Sequence, residues 1–296
     1  MSTTDLAARL TRRSRSNFYY GFLALPRRRR QALYAVYAFC RTVDDIADLG
    51  AERGEDVAAQ RRALARWRAD VARCYEGATP PEHPIARRLA DAVRAYRLPR
   101  EALEAIIDGV EMDLDHTTYE TAADLHPYCY RVASAVGLCA IEIFGYTDAR
   151  AREYAVNLGM ALQLTNIIRD VGADARVGRV YVPQEHLRAF GVTGDDLRAG
   201  RYGDAFVRLM ERQAAEARRF YAAARAAFPV ADARSLVAAE IMGRIYRALL
   251  DEIEARRFRV FEERITLPAR RKAAIAVGCW MRARWPGRVT GAGVPA

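Results

Sequence analysis

Two polar stripes set into otherwise apolar helices constrain this chain more than any other feature. In YAFCRTVDDIAD, residues 37–48, Tyr37, Arg41, Asp44 and Asp48 stand at offsets 0, 4, 7 and 11. At about 100° per residue these four share one helix face within about 60°. In QLTNIIRDVGAD, residues 163–174, Gln163, Asn166, Asp170 and Asp174 stand at offsets 0, 3, 7 and 11 and again share a face. Each stripe contains a D-x-x-x-D pair, one helical turn apart. The flanks LYAVYAFC and NLGMALQLTNII read as buried helix, and buried carboxylates need partners. Two like charges one turn apart destabilise a bare helix. A divalent cation between them removes that cost. Mg²⁺ takes oxygen ligands and keeps much of its water, so it is commonly held by one or two carboxylates plus substrate phosphates. Mn²⁺ suits the same donors. Two such helices facing each other would grip metal-bound diphosphate from both sides. Arg41, Arg169, Arg176 and Arg179 lie next to these acids and suit phosphate oxygens. A single acidic pair is ordinarily a solvated face; two matching stripes favour the metal site. Asp45 points about 80° from the first stripe and reads as a bystander.

The rest of the chain is helical in character. Ala, Leu, Arg and Glu dominate, and apolar positions recur at three and four. Helices are expected near 28–49, 56–74, 84–96, 99–113, 121–144, 149–173, 203–228, 232–256 and 267–284. Pro26, Pro84, Pro99, Pro183, Pro229 and Pro268 fall at proposed starts or breaks, and Pro127 sits early in its helix. No segment alternates over strand length. An all-α fold follows, with one domain over 1–285 and a small, glycine-containing tail over 286–296.

Charge narrows the function. Residues 1–41 hold nine Arg against one acid, and residues 256–296 hold nine Arg and Lys272 against two acids. The body between them is net acidic, so the overall charge of +10 sits at the two ends. Nucleic acid, an anionic membrane and anionic small substrates compete as partners. No nucleic-acid motif accompanies the basic ends, which leaves that partner the weakest. Five cysteines without CxxC spacing read as reduced core residues, and four scattered histidines offer no metal site. No apolar run approaches the roughly 18 residues of a membrane span, and no apolar signal core follows the N-terminus. A cytoplasmic protein is expected, docked peripherally at the inner face of an anionic membrane.

The segments AFCRTVDDIAD and NIIRDVGADARVGRVYVP resemble the two aspartate-rich signatures of the squalene/phytoene synthase family, and YCYRVASAVG (128–137) between them resembles its third. The resemblance runs from Ser16 to about Trp280. It implies the all-α isoprenoid synthase fold, helices around a deep central cavity, and Mg²⁺-dependent head-to-head condensation of two prenyl diphosphates. Asp44, Asp48, Asp170 and Asp174 match the family's metal–diphosphate ligands, with Asn166 beside the cation. Arg41, Arg169, Gln163 and Arg179 match diphosphate contacts, and Tyr37 and Tyr128 match active-site tyrosines. Ser16 and Asn17 fall where the family often has serines near the diphosphate.

The chemistry implied is loss of diphosphate to an allylic cation, attack by the 2,3-double bond of a second prenyl diphosphate, and proton loss that closes a cyclopropane. The released diphosphate and Tyr128 both remain open as proton acceptor. No Ser-His-Asp or Cys-His nucleophile is needed. The cavity must exclude water, and Phe18, Phe22, Val36, Val132, Ala133, Val136, Gly137, Leu162 and Ile241 are candidates for its wall, with Tyr246 pointing in. Glu111 and Asp113 in EMDLD read as solvated acids at a helix end, with support of the metal network as the weaker alternative. SNFYYGFLALP, EMDLDHTTYET and SLVAAEIMGRIYRALLDEIE are most similar to the bacterial members that release a C30 cyclopropyl diphosphate made from C15 farnesyl diphosphate, as squalene and hopanoid pathways require. NADPH is then not expected. A phytoene synthase acting on C20 substrates stays open, as do dehydrosqualene and squalene synthases. A non-catalytic helical assembly subunit is the reading from another class; both intact aspartate pairs speak against it.

Overall fold

The computed structural model describes residues 18–284 except 53, 55 and 116, with the side chains of 18–20, 51 and 52 left aside. Ser16, Asn17 and the tail 286–296 lie outside the described residues, and Phe18 is described in backbone only. Helices follow one another as α1 (Phe18–Leu23), α2 (Arg27–Glu52), α3 (Val57–Glu76), α4 (Pro84–Tyr96), α5 (Arg100–Asp115), α6 (Ala122–Cys129), α7 (Ala135–Phe144), α8 (Arg150–Arg176), α9 (Gln184–Phe190), α10 (Gly194–Arg198), α11 (Asp204–Ala227), α12 (Val237–Ala255) and α13 (Ala269–Arg284). Among the described residues there is no strand, only an isolated parallel bridge between Thr118 and Val180.

Local chemistry sets the boundaries. Asp56 accepts from Ala58 N at 3.3 Å to start α3, and Gly77, at φ 72°, ends it. Pro84 opens α4 in the first turn, where its missing N–H costs nothing. Thr121 and Asp124 form a reciprocal capping box at α6. The stretch expected as one helix over 121–144 is helical throughout but not uniform. Residues Tyr130–Ser134 form a π-helical turn, with Ala135 N–H bonded to Tyr130 O. The helix expected from 232 begins at Val237 instead. Asp232 is spent elsewhere: its carboxylate accepts from Thr147 N at 2.9 Å, Thr147 Oγ1 at 2.8 Å and Asp148 N at 3.0 Å. Helices α1, α9 and α10 were not anticipated, because five to seven residues are too few to show a period.

The core is continuous and surrounds a central space walled by α1, α2, α5, α7, α8 and α12 and by the π turn. Small residues allow the close approaches. A Cβ on Gly159 of α8 would stand 2.5 Å from Ser134 Cα, and one on Gly109 of α5 would stand 2.7 Å from Val132 Cγ1. The π turn is thus wedged between α5 and α8 against two hydrogen side chains. Ser134 Oγ donates to Val156 O at 2.7 Å and closes that contact.

Candidate active site

The central space is a cavity of 940 Å³, at the upper end of the range for ligand sites. Its two ends differ in chemistry. The second halves of α2 and α8 bring Arg41, Asp44 and Asp48 together with Gln163, Asn166, Arg169, Asp170 and Asp174 on one wall system. Away from them the lining is apolar: Phe22, Leu33, Val36, Phe144, Leu158 and Met242 among others. Tyr37, Tyr128, Val132, Ala133, Val136, Gly137, Leu162, Arg179 and Tyr246 also line the cavity. The two polar stripes, more than a hundred residues apart in sequence, therefore share one chamber.

Three of the sequence expectations fail. Ile241 is core, 1% exposed and absent from the cavity wall; it is turned roughly 115° round α12 from the mean direction of Ala238, Ala239, Met242 and Tyr246. Arg176 is exposed and does not reach the cavity, since it lies past the stripe at the end of α8. Asp113 is not a solvated helix-end acid. It lines the cavity, while its neighbour Glu111 pairs with Arg61 and Arg68 on the outside. Asp45 stays off the cavity wall and takes a 2.7 Å ion pair from Arg41, whose distance to Asp44 is 3.5 Å.

Tyr181 was missed altogether. It follows Arg179 on the segment after α8, which is fixed by Val180 N to Thr117 O at 2.7 Å and Gln184 N to Tyr119 O at 2.9 Å. That segment reaches back across the cavity mouth, so Arg179 Nη1 stands 2.6 Å from Asp48 Oδ1. Arg264 was also missed. The loop after α12 packs Phe261 over Gly172, where a Cβ would stand 2.6 Å from the ring. This seats Arg264 bidentately on Asp170, at 2.9 and 3.1 Å, opposite Arg169 on the same carboxylate. No periodic signal marks either residue, because both act from irregular segments.

Electrostatics divides the acids. Burial and the adjacent Asp48 raise the Asp44 carboxyl to about 7 against the pull of Arg41. Burial and Asp170 raise Asp174 to about 7, against Arg179 and Arg169. Burial raises Asp113 to about 6, although Tyr181, Arg179 and Tyr128 oppose it. Asp170 goes the other way: burial is outweighed by its two guanidinium partners, and its carboxyl falls below the ordinary range. Excess negative charge is thus crowded at one end of an apolar chamber.

That arrangement suits a divalent cation bridged by a polyanion. Among the described residues no three His, Cys, Asp or Glu side chains converge to hold an ion by themselves. Pairs one turn apart supply one or two oxygens each, which is the donor set Mg²⁺ uses when phosphates complete its shell. Asn166 Oδ1 is buried without a hydrogen-bond partner within the second stripe, a further hard oxygen donor. The donor set fits.

The squalene/phytoene synthase family model matches residues 11–271. The chain belongs to the squalene/phytoene synthase family. It is 41% identical over 266 residues to the presqualene diphosphate synthase of Rhodopseudomonas palustris, covering 88% of this chain and 91% of that one. It is 36% identical over 278 residues to the 15-cis-phytoene synthase of Synechococcus elongatus, covering 89% and 87%. Among solved structures, a dehydrosqualene synthase in complex with ligand superposes with TM-score 0.83 at 28% identity, covering 95% of this chain and 96% of that one. The fold is the all-α isoprenoid synthase fold, and membership makes the chain a prenyltransferase.

Proposed function

We propose that this chain joins two farnesyl diphosphates head to head (1'-2-3), forming presqualene diphosphate and releasing diphosphate, with residues 1–285 as the catalytic unit. The observation that carries the reading is the facing of two aspartate pairs across the polar end of one otherwise apolar cavity. The 41% identity to a presqualene diphosphate synthase supports the C15 substrate. A phytoene synthase acting on two C20 chains is the second reading, supported by the 36% relative.

Bound between the pairs, Mg²⁺ would neutralise the diphosphate's charge as it departs. Asp44 and Asp48 on α2, and Asp170, Asp174 and Asn166 on α8, would hold it. Arg41, Arg169, Gln163 and Arg179 would orient the diphosphate, the three arginines being held beside the metal-binding acids by ion pairs to Asp44, Asp170 and Asp48. Tyr37 packs against Phe22, ring centroids 6.1 Å apart, where the polar end gives way to the apolar wall. Phe22, Val132, Leu162 and Met242 keep water from the allylic cation.

The reactants and product are lipids, so a membrane is the natural reservoir. Among the described residues no helix is long and apolar enough to cross one. Helix α13, with five basic residues and no acid, exposes Val277, Trp280 and Met281, which suits contact with an anionic membrane surface. Failure to sediment with anionic liposomes at low salt would remove that contact.

The test of function is a product assay with Mg²⁺ and without NADPH. A C30 cyclopropyl diphosphate from the C15 substrate is expected. A C40 hydrocarbon from the C20 substrate would replace this reading with the second. No product from either would leave a non-catalytic helical protein.

A further inference from the structure

Helix α5 ends in EMDLD, with acids at alternate positions. Alternation turns successive acids about 200° apart on a helix, so Asp113 must face away from Glu111 and Asp115. Those two pair with Arg61 and Arg68 on the outer surface. Asp113 is turned into the cavity wall, where a carboxylate persists only if its lone pairs are used. Oδ1 accepts from the Tyr181 hydroxyl at 2.7 Å and Oδ2 from the Tyr128 hydroxyl at 3.1 Å. The two phenol oxygens are 3.2 Å apart, and their rings stack with centroids 5.1 Å apart at 17°. Tyr128 is 4% exposed and reaches the cavity from the turn before the π helix. A hydroxyl has one proton. Once the Tyr128 proton is committed to Asp113, its oxygen offers the cavity only lone pairs.

We propose that Asp113 terminates a proton relay through Tyr128 at the ring-closing step. The inference rests on the condensation reading above. When the second prenyl chain has attacked the allylic cation, positive charge sits on its C3 carbon. The C–H electron pair on the donor's C1 becomes the last C–C bond of the cyclopropane. The proton so released passes to Tyr128 Oη, and the proton already on Tyr128 passes to Asp113 Oδ2. Nothing is oxidised or reduced. A neutral phenol alone is a feeble base; a phenol backed by a carboxylate is a relay. The charges of Arg179 and Asp48 also act on Asp113, and Tyr181 holds its second oxygen in place. Asp113 acts through Tyr128 and is a positioning residue.

The test compares wild type, D113N, D113E, Y128F and the double variant D113N/Y128F on farnesyl diphosphate with Mg²⁺. Circular dichroism and Tm serve as controls for folding, and released diphosphate and C30 product are followed separately. Loss of general base function costs about 10²–10⁴-fold, so D113N should lose that much in kcat for the C30 product. Its KM should stay within about threefold of wild type, since binding is untouched. Ionisation and attack should continue, so diphosphate release outlasts ring closure and the C3 cation is trapped by water as an open-chain C30 alcohol diphosphate in place of the cyclopropyl product. D113E, which keeps the acceptor, should recover part of the loss and guards against a folding defect in D113N. The double variant should be no slower than Y128F alone, because both act in one step. A D113N enzyme with near wild-type C30 turnover would overturn the relay. So would parallel loss of diphosphate release, a raised Mg²⁺ requirement, or losses that multiply in the double variant. A wild type that makes no C30 product would defeat the condensation reading before any variant is compared.

Discussion

Arg179 Nη1 lies 2.6 Å from Asp48 Oδ1, so a residue just beyond the second aspartate helix neutralises the end of the first. The contact spans 131 positions of sequence and ties the two halves of the polar end together. Arg179 is held there by the backbone bonds of Val180 and Gln184, not by helix geometry.

Removing that guanidinium should therefore cost catalysis more than stability. Losing one preorganised charge-stabilising donor typically costs about 10²–10³-fold in kcat. R179A should fall in that range with wild-type circular dichroism, and R179K should recover part of it. Steady-state kinetics on both variants is the check; a wild-type kcat for R179A would exclude Arg179 from the chemistry.

Asp44→Ala and Asp170→Ala should each abolish turnover while leaving helical content intact. The two differ in cause. Asp44 loses a carboxylate that burial makes costly. Asp170 loses the counter-charge of Arg169 and Arg264 as well. Isothermal titration with Mg²⁺ and a non-ionisable diphosphate analogue should show weakened binding in both, and unchanged turnover in both would remove the metal site.

Cation binding should be pH-dependent with a definite sign. Asp44 and Asp174 are raised to about 7 in the cation-free chain, so near neutrality each is partly protonated. A group whose native pKa is raised binds more protons folded than unfolded, so stability declines as pH rises through about 7. Mg²⁺ needs the carboxylates ionised, and its binding should release protons. Thermal melts in chelator should give a lower Tm at pH 8 than at pH 6, with Mg²⁺ plus diphosphate restoring more at pH 8. Equal restoration at both would contradict the assignment.

Asp232→Ala tests the far end of the molecule. Its carboxylate holds two backbone N–H groups and a hydroxyl at the α7–α8 turn, and is 5% exposed. Burial raises its carboxyl, but the N–H donors prevail and hold it below the ordinary range, so its contribution is lost as pH falls through the acid range. The variant should lose about 2 kcal/mol, since it strands buried donors. Denaturant titration should find that loss with kcat unchanged.

How much of this was legible depended on periodicity. The long helices were, because each repeats an apolar face over several turns. So was the pairing of the stripes holding Asp44, Asp48, Asp170 and Asp174, since charges inside apolar helices must be answered by something. Asp113 was misread because it was paired with Glu111 as a helix-end acid, although two residues on a helix reverse the face. Tyr181 and Arg264 were invisible: their positions come from the Thr118–Val180 bridge and from Phe261 seated on Gly172, both tertiary facts. The start of α12 was misplaced because Asp232 serves a distant turn.

The π turn at Tyr130–Ser134 has a meaning for how this sequence tolerates change. Each residue added to or taken from a helix rotates everything beyond it by about 100°. The wider turn works as a phase shifter. It sets Tyr128 on one side of it in register with Val136 and Gly137 on the other, although a plain α-helix would separate their directions. Deleting one residue within 130–134 would heal the helix with its two flanks still in register, and would remove only the bulge wedged against Gly109 and Gly159. A chain so shortened would fold with a straighter rod and the phenol on the same wall, whereas straightening the turn at full length would swing it by about 100°.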